Sequence, residues 1–162
     1  MYRTHYFVFR QCNSPADLAA EEQRLLTAAR SALAKAYAPY SHFRVGAAAL
    51  LSNGAVVSGA NFENAAYPMC LCAERATLAA AFNQYPEASI IALAVTASAE
   101  GKSINMPATP CGACRQVLLE AEQRFAHPLR LILQGEEGPI WVFERVGDLL
   151  PLAFDAELLP DI

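Results

Sequence analysis

The sequence predicts an α/β fold, in which helices cover a mixed sheet of five strands. Two observations point to this class. Apolar residues recur at helical spacing in three segments, and short apolar runs alternate with those segments in the order helix, two strands, helix, strand, helix, two strands. With 162 residues and no repeat, low-complexity tract or linker, the chain suits a single domain over residues 1–162.

The first third of the chain predicts one helix and a hairpin. The aromatic run 6–9 suggests a strand or a surface arm. A helix is expected to begin at Ser14, a good N-cap followed by Pro15, and to continue at helical spacing as far as Tyr37. Strands are then expected at residues 45–51 and 55–59, because Asn53-Gly54 between two apolar runs is a strong hairpin signal.

The rest of the chain alternates between helical and strand patterns. Residues 72–83 and 111–125 are expected to be helices, and a buried strand at 90–96 lies between them. Two further strands are expected, at 129–133 and 140–143, before a short proline-containing C-terminal segment.

Charge and cysteine content limit the possible partners and the compartment. Twelve Lys and Arg against sixteen Asp and Glu give a net charge of −4 without a basic cluster, which argues against a nucleic-acid partner. No apolar run is long enough to predict a membrane span. Five cysteines without a recognisable secretory signal favour a reducing compartment, so we expect a cytoplasmic protein.

Three cysteines and one glutamate form the most specific pattern. Glu74 follows Cys72 by two residues, and Pro110 precedes a Cys-x-x-Cys pair formed by Cys111 and Cys114. Three thiolates can hold Zn²⁺ and leave one tetrahedral position open for water. A carboxylate that is not needed as a ligand can then move protons to and from that water. Both motifs are expected where a loop enters a helix, since a helix N-terminus stabilises thiolates.

Other interpretations of these residues remain open. A structural zinc site would need a fourth ligand, which Cys70 could supply, and buried free thiols are also possible. Glu74 favours the open, catalytic site, because a structural site gives it no chemical task. Arg75 is expected to donate hydrogen bonds to the ligand sulfurs, although it could equally lie on a solvated helix face.

The pattern Cys-x-Glu followed by Pro-Cys-x-x-Cys is typical of zinc-dependent nucleobase deaminases. Together with residues 36–48 and 61–67, it makes the chain resemble the small homotetrameric cytidine deaminases over about residues 17–154. The resemblance implies a three-layer domain, one Zn²⁺ per chain, and hydrolysis of cytidine and 2′-deoxycytidine to uridine and 2′-deoxyuridine in pyrimidine salvage. It also implies that Cys72, Cys111 and Cys114 are the zinc ligands and that Glu74 is the catalytic proton shuttle.

The resemblance assigns the substrate contacts to four positions. Phe43 matches the residue that packs near the nucleoside, Asn61 and Glu63 match the pair that binds the ribose 3′-hydroxyl, and the backbone of Ala73 matches a pyrimidine contact. The residue types suit these roles, because an amide and a carboxylate can bind hydroxyls and an aromatic ring can cover a flat base. Considered alone, Asn61 could be a turn residue and Glu63 a surface charge.

The resemblance also implies a homotetramer with shared sites. Tyr67 and Phe154 align with residues that line such sites, although Phe154 could serve only in packing. Two features depart from the family pattern. Leu152 stands where many relatives have Gly, and residues 1–13 form an N-terminal extension.

Three alternative functions remain possible on the sequence. One is a deaminase for another cytosine nucleoside of the blasticidin S type, against which the Asn61 and Glu63 pair argues. The others are nucleic-acid editing, which the acidic charge disfavours, and a non-catalytic zinc module, which Glu74 disfavours. The three histidines show no metal-ligand spacing, and His42 is expected on the surface.

Overall fold

The computed structural model describes residues 1–159, and a six-stranded mixed sheet lies at its centre. No helix within these residues is long and apolar enough to cross a membrane. The strands in chain order are β1 (Arg10–Cys12), β2 (Phe43–Leu51), β3 (Val56–Ala60), β4 (Ile90–Ala99), β5 (Arg130–Gln134) and β6 (Ile140–Phe143). The helices are α1 (Ala20–Ala32), α2 (Ala73–Gln84) and α3 (Gly112–Arg124).

The helices form layers on both faces of the sheet, as the sequence predicted. Strand β2 shows the arrangement, because its side chains alternate between two cores. Ala48 and Leu50 pack with α1 on one face, whereas Ala47 and Ala49 pack with α2 and α3 on the other. Strands β4 and β5 are buried on both faces, which explains their continuous apolar sequences.

The prediction of five strands was wrong by one. The sheet order is β1-β6-β5-β4-β2-β3, and the additional strand is β1, which pairs antiparallel with β6. The sequence placed a strand or arm at residues 6–9, but the ladder forms at Arg10–Cys12. A tertiary contact fixes this position, because Arg10 on β1 donates two hydrogen bonds of 2.9 and 3.0 Å to the buried carboxylate of Glu22 on α1.

The first helix also begins later than predicted. Residues Pro15–Asp17 form a separate turn of 3₁₀ helix, in which the Asp17 carboxylate accepts a hydrogen bond from the Ser14 amide. Helix α1 starts only at Ala20, where the Glu22 carboxylate accepts from the Ala19 amide. At the other end, Tyr37 lies outside the helix, since its amide donates to the carbonyl of Asn61 instead.

The sheet topology brings the N-termini of α2 and α3 to one edge. Strands β3 and β4 are each antiparallel to β2, so they run in the same direction and end at the same side of the sheet. Helix α2 follows the end of β3 along the chain, and α3 follows the end of β4. The carboxyl edge of such a sheet is a common location for ligand sites.

Helix α2 lies unusually close to β3, and Gly59 makes this possible. A Cβ atom added at Gly59 would lie 2.7 Å from Oγ1 of Thr77 and 2.9 Å from its backbone nitrogen. Thr77 is fully buried in α2, and its hydroxyl already donates to the carbonyl of Ala73 at 2.8 Å. Gly59 therefore sets the distance between the sheet and the helix that carries Glu74.

We expect Gly59→Ala to destabilise the protein by about 1–3 kcal/mol, because the added methyl group would push α2 away from β3. Urea unfolding followed by circular dichroism measures the change in the free energy of unfolding. Gly112→Ala is the matched control, since an added Cβ there meets no atom within 4 Å. Equal stability of the two variants would contradict the close-packing argument.

Candidate metal centre and active site

Three cysteine sulfurs converge where α2 and α3 begin. Cys72 is the N-cap of α2 and Cys111 is the N-cap of α3, and both have the extended backbone typical of a cap. Cys114 follows in the first turn of α3 and is fully buried. The three Sγ atoms lie within 4.8 Å of one another, and no other group of three metal-ligating side chains was found within residues 1–159.

This donor set fits Zn²⁺. A tetrahedral zinc site with Zn–S bonds of about 2.3 Å has sulfur–sulfur separations of about 3.8 Å, and the limit of 4.8 Å on the separations of the three Sγ atoms is compatible with this geometry. Three thiolates are soft donors that zinc binds well. Because both helices direct their positive ends towards the sulfurs, the charged thiolate form is favoured there. Cys72, Cys111 and Cys114 would therefore hold the metal.

Cys72 and Cys114 hold their protons with unequal strength. A hydrogen bond from the Cys114 thiol lowers the pKa of Cys72 to about 6. The same hydrogen bond raises the pKa of Cys114, and burial raises it further. Cys72 therefore loses its proton before Cys114 does.

Cys70 does not join the three-sulfur cluster. Its Sγ accepts a hydrogen bond of 3.3 Å from the backbone amide of Asn64 and lies 3.7 Å from the carbonyl of the same residue. All five cysteines are free thiols in the structure, including the buried Cys12. The geometry therefore favours a site with three protein ligands over a structural site with Cys70 as the fourth.

Glu74 lies in the first turn of α2, beside the sulfur cluster. Its side chain is only 5% exposed, and this burial raises the pKa of the carboxyl group. Hydrogen bonds from its own backbone amide and from Cys114 act in the opposite direction. A buried carboxyl group with a raised pKa holds a proton more readily than an exposed one, which suits it to take up and release protons during a reaction.

The structure supports only an electrostatic effect of Arg75. Its positive charge lowers the pKa of Cys72, after the larger effects of Cys114, burial, Glu74 and Cys111. Within residues 1–159 its guanidinium group makes no hydrogen bond to a ligand sulfur. A different arginine holds the ligand loop, since Arg115 donates to the carbonyl of Pro110 at 2.9 Å and to that of Leu149 at 3.0 Å.

Cys72, Cys111 and Glu74 lie on the wall of a cavity of about 500 Å³, and the buried Cys114 belongs to the same sulfur cluster without lining the cavity. This volume is sufficient for a ligand of nucleoside size. Of the positions that the sequence proposed for substrate contact, the cavity is lined by Phe43, Asn61, Glu63 and Ala73. Sequence reasoning did not single out the remaining lining residues, which are Ser41, Val45, Phe62, Leu71, Val95, Ala108 and Thr109, besides Cys70. Ser41 and Val45 lie within residues 36–48, and Phe62 lies within residues 61–67, the two segments that contribute to the family resemblance.

Asn61 connects the cavity wall to the sheet. Its Oδ1 accepts a hydrogen bond of 2.8 Å from the Val45 amide, and its Nδ2 donates one of 2.9 Å to the carbonyl of Phe43. The side chain therefore continues the β2–β3 ladder by one step beyond the end of β3. One N–H and one lone pair of the amide remain for a ligand.

Glu63 carries the second carboxylate of the cavity. Its Oε2 accepts hydrogen bonds from the backbone amides of Tyr40, at 2.9 Å, and Ser41, at 3.2 Å. Its Oε1 accepts one from the Ser41 hydroxyl. The hydrogen bond from the Ser41 hydroxyl has the largest effect on the pKa of Glu63, and together with the two amide hydrogen bonds it holds that pKa below its usual value. Glu63 is thus an ionised acceptor with a fixed orientation.

Tyr67 and Phe154 do not line this cavity. Tyr67 is 67% exposed, and its ring makes an edge-to-face contact with Tyr40 across an adjoining cavity of about 250 Å³. Phe154 is 59% exposed, and its carbonyl accepts a hydrogen bond of 2.8 Å from the Gln116 side chain.

Leu152 has a positive φ of 57° and a fully exposed side chain. His42 is exposed, as expected, and pairs with Glu100 at 3.3 Å.

Comparison with known proteins gives consistent results. Residues 19–126 match the model of the cytidine and deoxycytidylate deaminase zinc-binding region. The chain is 41% identical over 143 residues to a cytidine deaminase of Halalkalibacterium halodurans, covering 87% of this chain and 99% of the relative. It is 42% identical over 135 residues to a cytidine deaminase of Mycobacterium tuberculosis, covering 82% and 88% respectively.

Solved structures show the same similarity. The crystal structure of cytidine deaminase from Burkholderia pseudomallei matches with a TM-score of 0.71 and 40% identity, over 85% of this chain and all of that chain. The crystal structure of cytidine deaminase from Mycobacterium tuberculosis matches with a TM-score of 0.64 and 38% identity, over 85% and 99% of the two chains.

We expect Cys111→Ala to lose most of the bound zinc and part of the thermal stability, because metal binding is coupled to folding of the site. Zinc per chain, measured by atomic absorption, and the melting temperature are the readouts. Cys70→Ala is the matched control, since this thiol lines the same cavity outside the sulfur cluster. Loss of zinc in Cys70→Ala, or full occupancy in Cys111→Ala, would contradict the assignment.

Proposed function

The chain belongs to the zinc-dependent cytidine and deoxycytidylate deaminase family, and we propose that it hydrolyses cytidine and 2′-deoxycytidine to uridine and 2′-deoxyuridine, with release of ammonia. One observation carries this proposal. A single cavity combines Cys72 and Cys111 of the three-sulfur cluster, the buried carboxyl group of Glu74 and polar groups suited to a sugar. The reaction is expected to serve pyrimidine salvage.

The enzyme uses one Zn²⁺ per chain. When bound by the three cysteines, the metal supplies Lewis-acid chemistry that makes water a nucleophile at neutral pH. Arg75 and the N-terminal ends of α2 and α3 then offset part of the negative charge of the thiolates.

Glu74 moves the protons of the reaction. It accepts a proton from the water that adds to C4 of the pyrimidine and delivers that proton to ring nitrogen N3. It then transfers the second proton of the water to the departing amino group, which leaves as ammonia, so the carbonyl oxygen of the product comes from water. The raised pKa of the buried carboxyl group supports this role, because both protonation states of Glu74 must be accessible during one turnover.

The lining of the cavity favours a nucleoside over a nucleotide. Its polar side chains include Asn61, Glu63 and Ser41. In the described part of the chain, no Lys, Arg or His lines the cavity. A 5′-phosphate would place its negative charges close to the ionised Glu63 without a basic partner. The hydroxyl groups of a neutral sugar instead find acceptors in Asn61 and Glu63. The ring of Phe43 offers an apolar surface against which the nucleoside can pack.

We also propose that the enzyme is a homotetramer with shared sites. Tyr67 and Phe154 lie exposed outside the cavity, and the hydrogen bond from Gln116 anchors the segment that carries Phe154 to helix α3. Aromatic side chains held at the surface in this way suit burial against another subunit. In a shared site, Phe154 would act at the cavity of a neighbour.

We expect Glu74→Gln to retain zinc and the native fold but to lose about 10²–10⁴-fold in kcat, because an amide cannot transfer protons. The decrease in cytidine absorbance measures turnover, and metal analysis measures zinc. Glu21→Gln is the control, since Glu21 lies exposed in the first turn of α1. A Glu74→Gln variant within tenfold of the parent enzyme would refute the shuttle role.

The tetramer makes a separate prediction. A site built from more than one subunit cannot work in an isolated chain, so specific activity should fall as the protein is diluted and the tetramer dissociates. Light scattering at the same concentrations as the activity assay would reveal whether the two changes coincide. A monomer with full activity would refute the shared sites and leave the zinc chemistry untouched.

A further inference from the structure

We propose that Ser41 is a positioning residue for recognition of the substrate sugar: it fixes the Glu63 carboxylate and couples it to the backbone of Phe43. This inference rests on the proposed nucleoside deaminase function. It concerns a residue within the segment 36–48 to which neither the sequence motifs nor the chemistry of the metal site assigned a role.

The Ser41 hydroxyl group links two parts of the cavity wall. It donates a hydrogen bond to Oε1 of Glu63 and accepts one of 3.0 Å from the amide of Phe43. The hydroxyl's single proton and one of its lone pairs are therefore used between two residues that both line the cavity. A serine at this position joins the carboxylate to the start of strand β2.

The loop that carries Ser41 is itself held in place. His42 adopts a positive φ of 55°, and its amide donates to the carbonyl of Ala38 at 3.2 Å. Its carbonyl accepts a hydrogen bond of 3.2 Å from the amide of Glu100, whose carboxylate also pairs with the His42 ring. The loop is thus fastened to the end of β4, so the Ser41 hydroxyl has a fixed location.

Glu63 needs this support because it lies in a partly exposed loop rather than on a helix or strand. The backbone amides of Tyr40 and Ser41 both donate to Oε2, whereas only the Ser41 hydroxyl donates to Oε1 among the described residues. Without the hydroxyl, Oε1 would lose its protein partner and the carboxylate could rotate about its terminal bond. A hydroxyl group of the sugar would then meet an acceptor of less defined orientation.

The test compares Ser41→Ala with the parent enzyme on two pairs of nucleosides. The first pair is cytidine and 3′-deoxycytidine, for which kcat and KM are measured. The second pair is uridine and 3′-deoxyuridine, for which titration calorimetry of the zinc-loaded protein measures Kd. Ser41→Thr restores the hydroxyl group. Ser31→Ala is the control, since the Ser31 hydroxyl is exposed on α1 and donates to the carbonyl of Thr27, its single side-chain hydrogen bond within residues 1–159.

We expect Ser41→Ala to raise KM for cytidine and Kd for uridine about tenfold. This is the size of effect expected from losing one hydrogen bond to a charged group, and it is limited because the amides of Tyr40 and Ser41 still hold the carboxylate. The value of kcat should stay within about twofold, and both 3′-deoxy nucleosides should behave alike in the parent and the variant. Ser41→Thr should recover the parent values, and Ser31→Ala should match the parent throughout.

Equal losses on the 3′-hydroxy and 3′-deoxy nucleosides would overturn the positioning role, since they would indicate a general structural defect. Unchanged values for cytidine and uridine in Ser41→Ala would overturn it as well. A parent enzyme that binds uridine but deaminates neither substrate would refute the proposed function alone, because the Kd comparison would still test Ser41. A parent that binds no nucleoside would overturn both.

Discussion

Mutual repulsion between negatively charged groups is the constraint on which this structure depends. Three thiols that must become thiolates and the carboxyl group of Glu74 lie together on one partly buried wall. Such a cluster is stable only if positive charge is supplied at the same place. The positive ends of α2 and α3, the charge of Arg75 and the metal itself provide it. The fold must therefore bring two helix N-termini together.

The sheet meets this requirement through the directions of its strands. Since β3 and β4 run the same way on either side of β2, their carboxyl ends lie at one edge, and α2 and α3 follow these ends on the same face. Gly59 allows α2 to lie against β3, and Arg115 ties the loop before α3 to the C-terminal segment. Asn61 and Phe43 belong to the same edge, which explains why the residues proposed to contact the nucleoside share one cavity with Cys72 and Cys111.

Sequence reasoning failed where a long-range contact decided the local structure. Residues 6–9 have the better strand composition, but β1 forms at Arg10–Cys12, where Arg10 can reach Glu22 on α1. Tyr37 has helical spacing, but its amide pairs with Asn61 on the far side of the hairpin. Ser41 was missed because a single serine in a loop carries no periodic or spacing signal.

The sequence by itself determined most of the helices and strands, the hairpin at Asn53-Gly54, and the three cysteines of the zinc site with Glu74 beside them. These features are local: they follow from periodicity, from turn chemistry and from spacings of two or three residues within one helical turn. Only the tertiary structure decided that Cys70 faces Asn64 instead of the metal cluster, that Ser41 holds Glu63, and that Tyr67 and Phe154 lie outside the cavity of their own chain. Each of these depends on which residues distant in the chain come within hydrogen-bonding distance, and that is set by sheet order and helix packing, not by the neighbouring sequence.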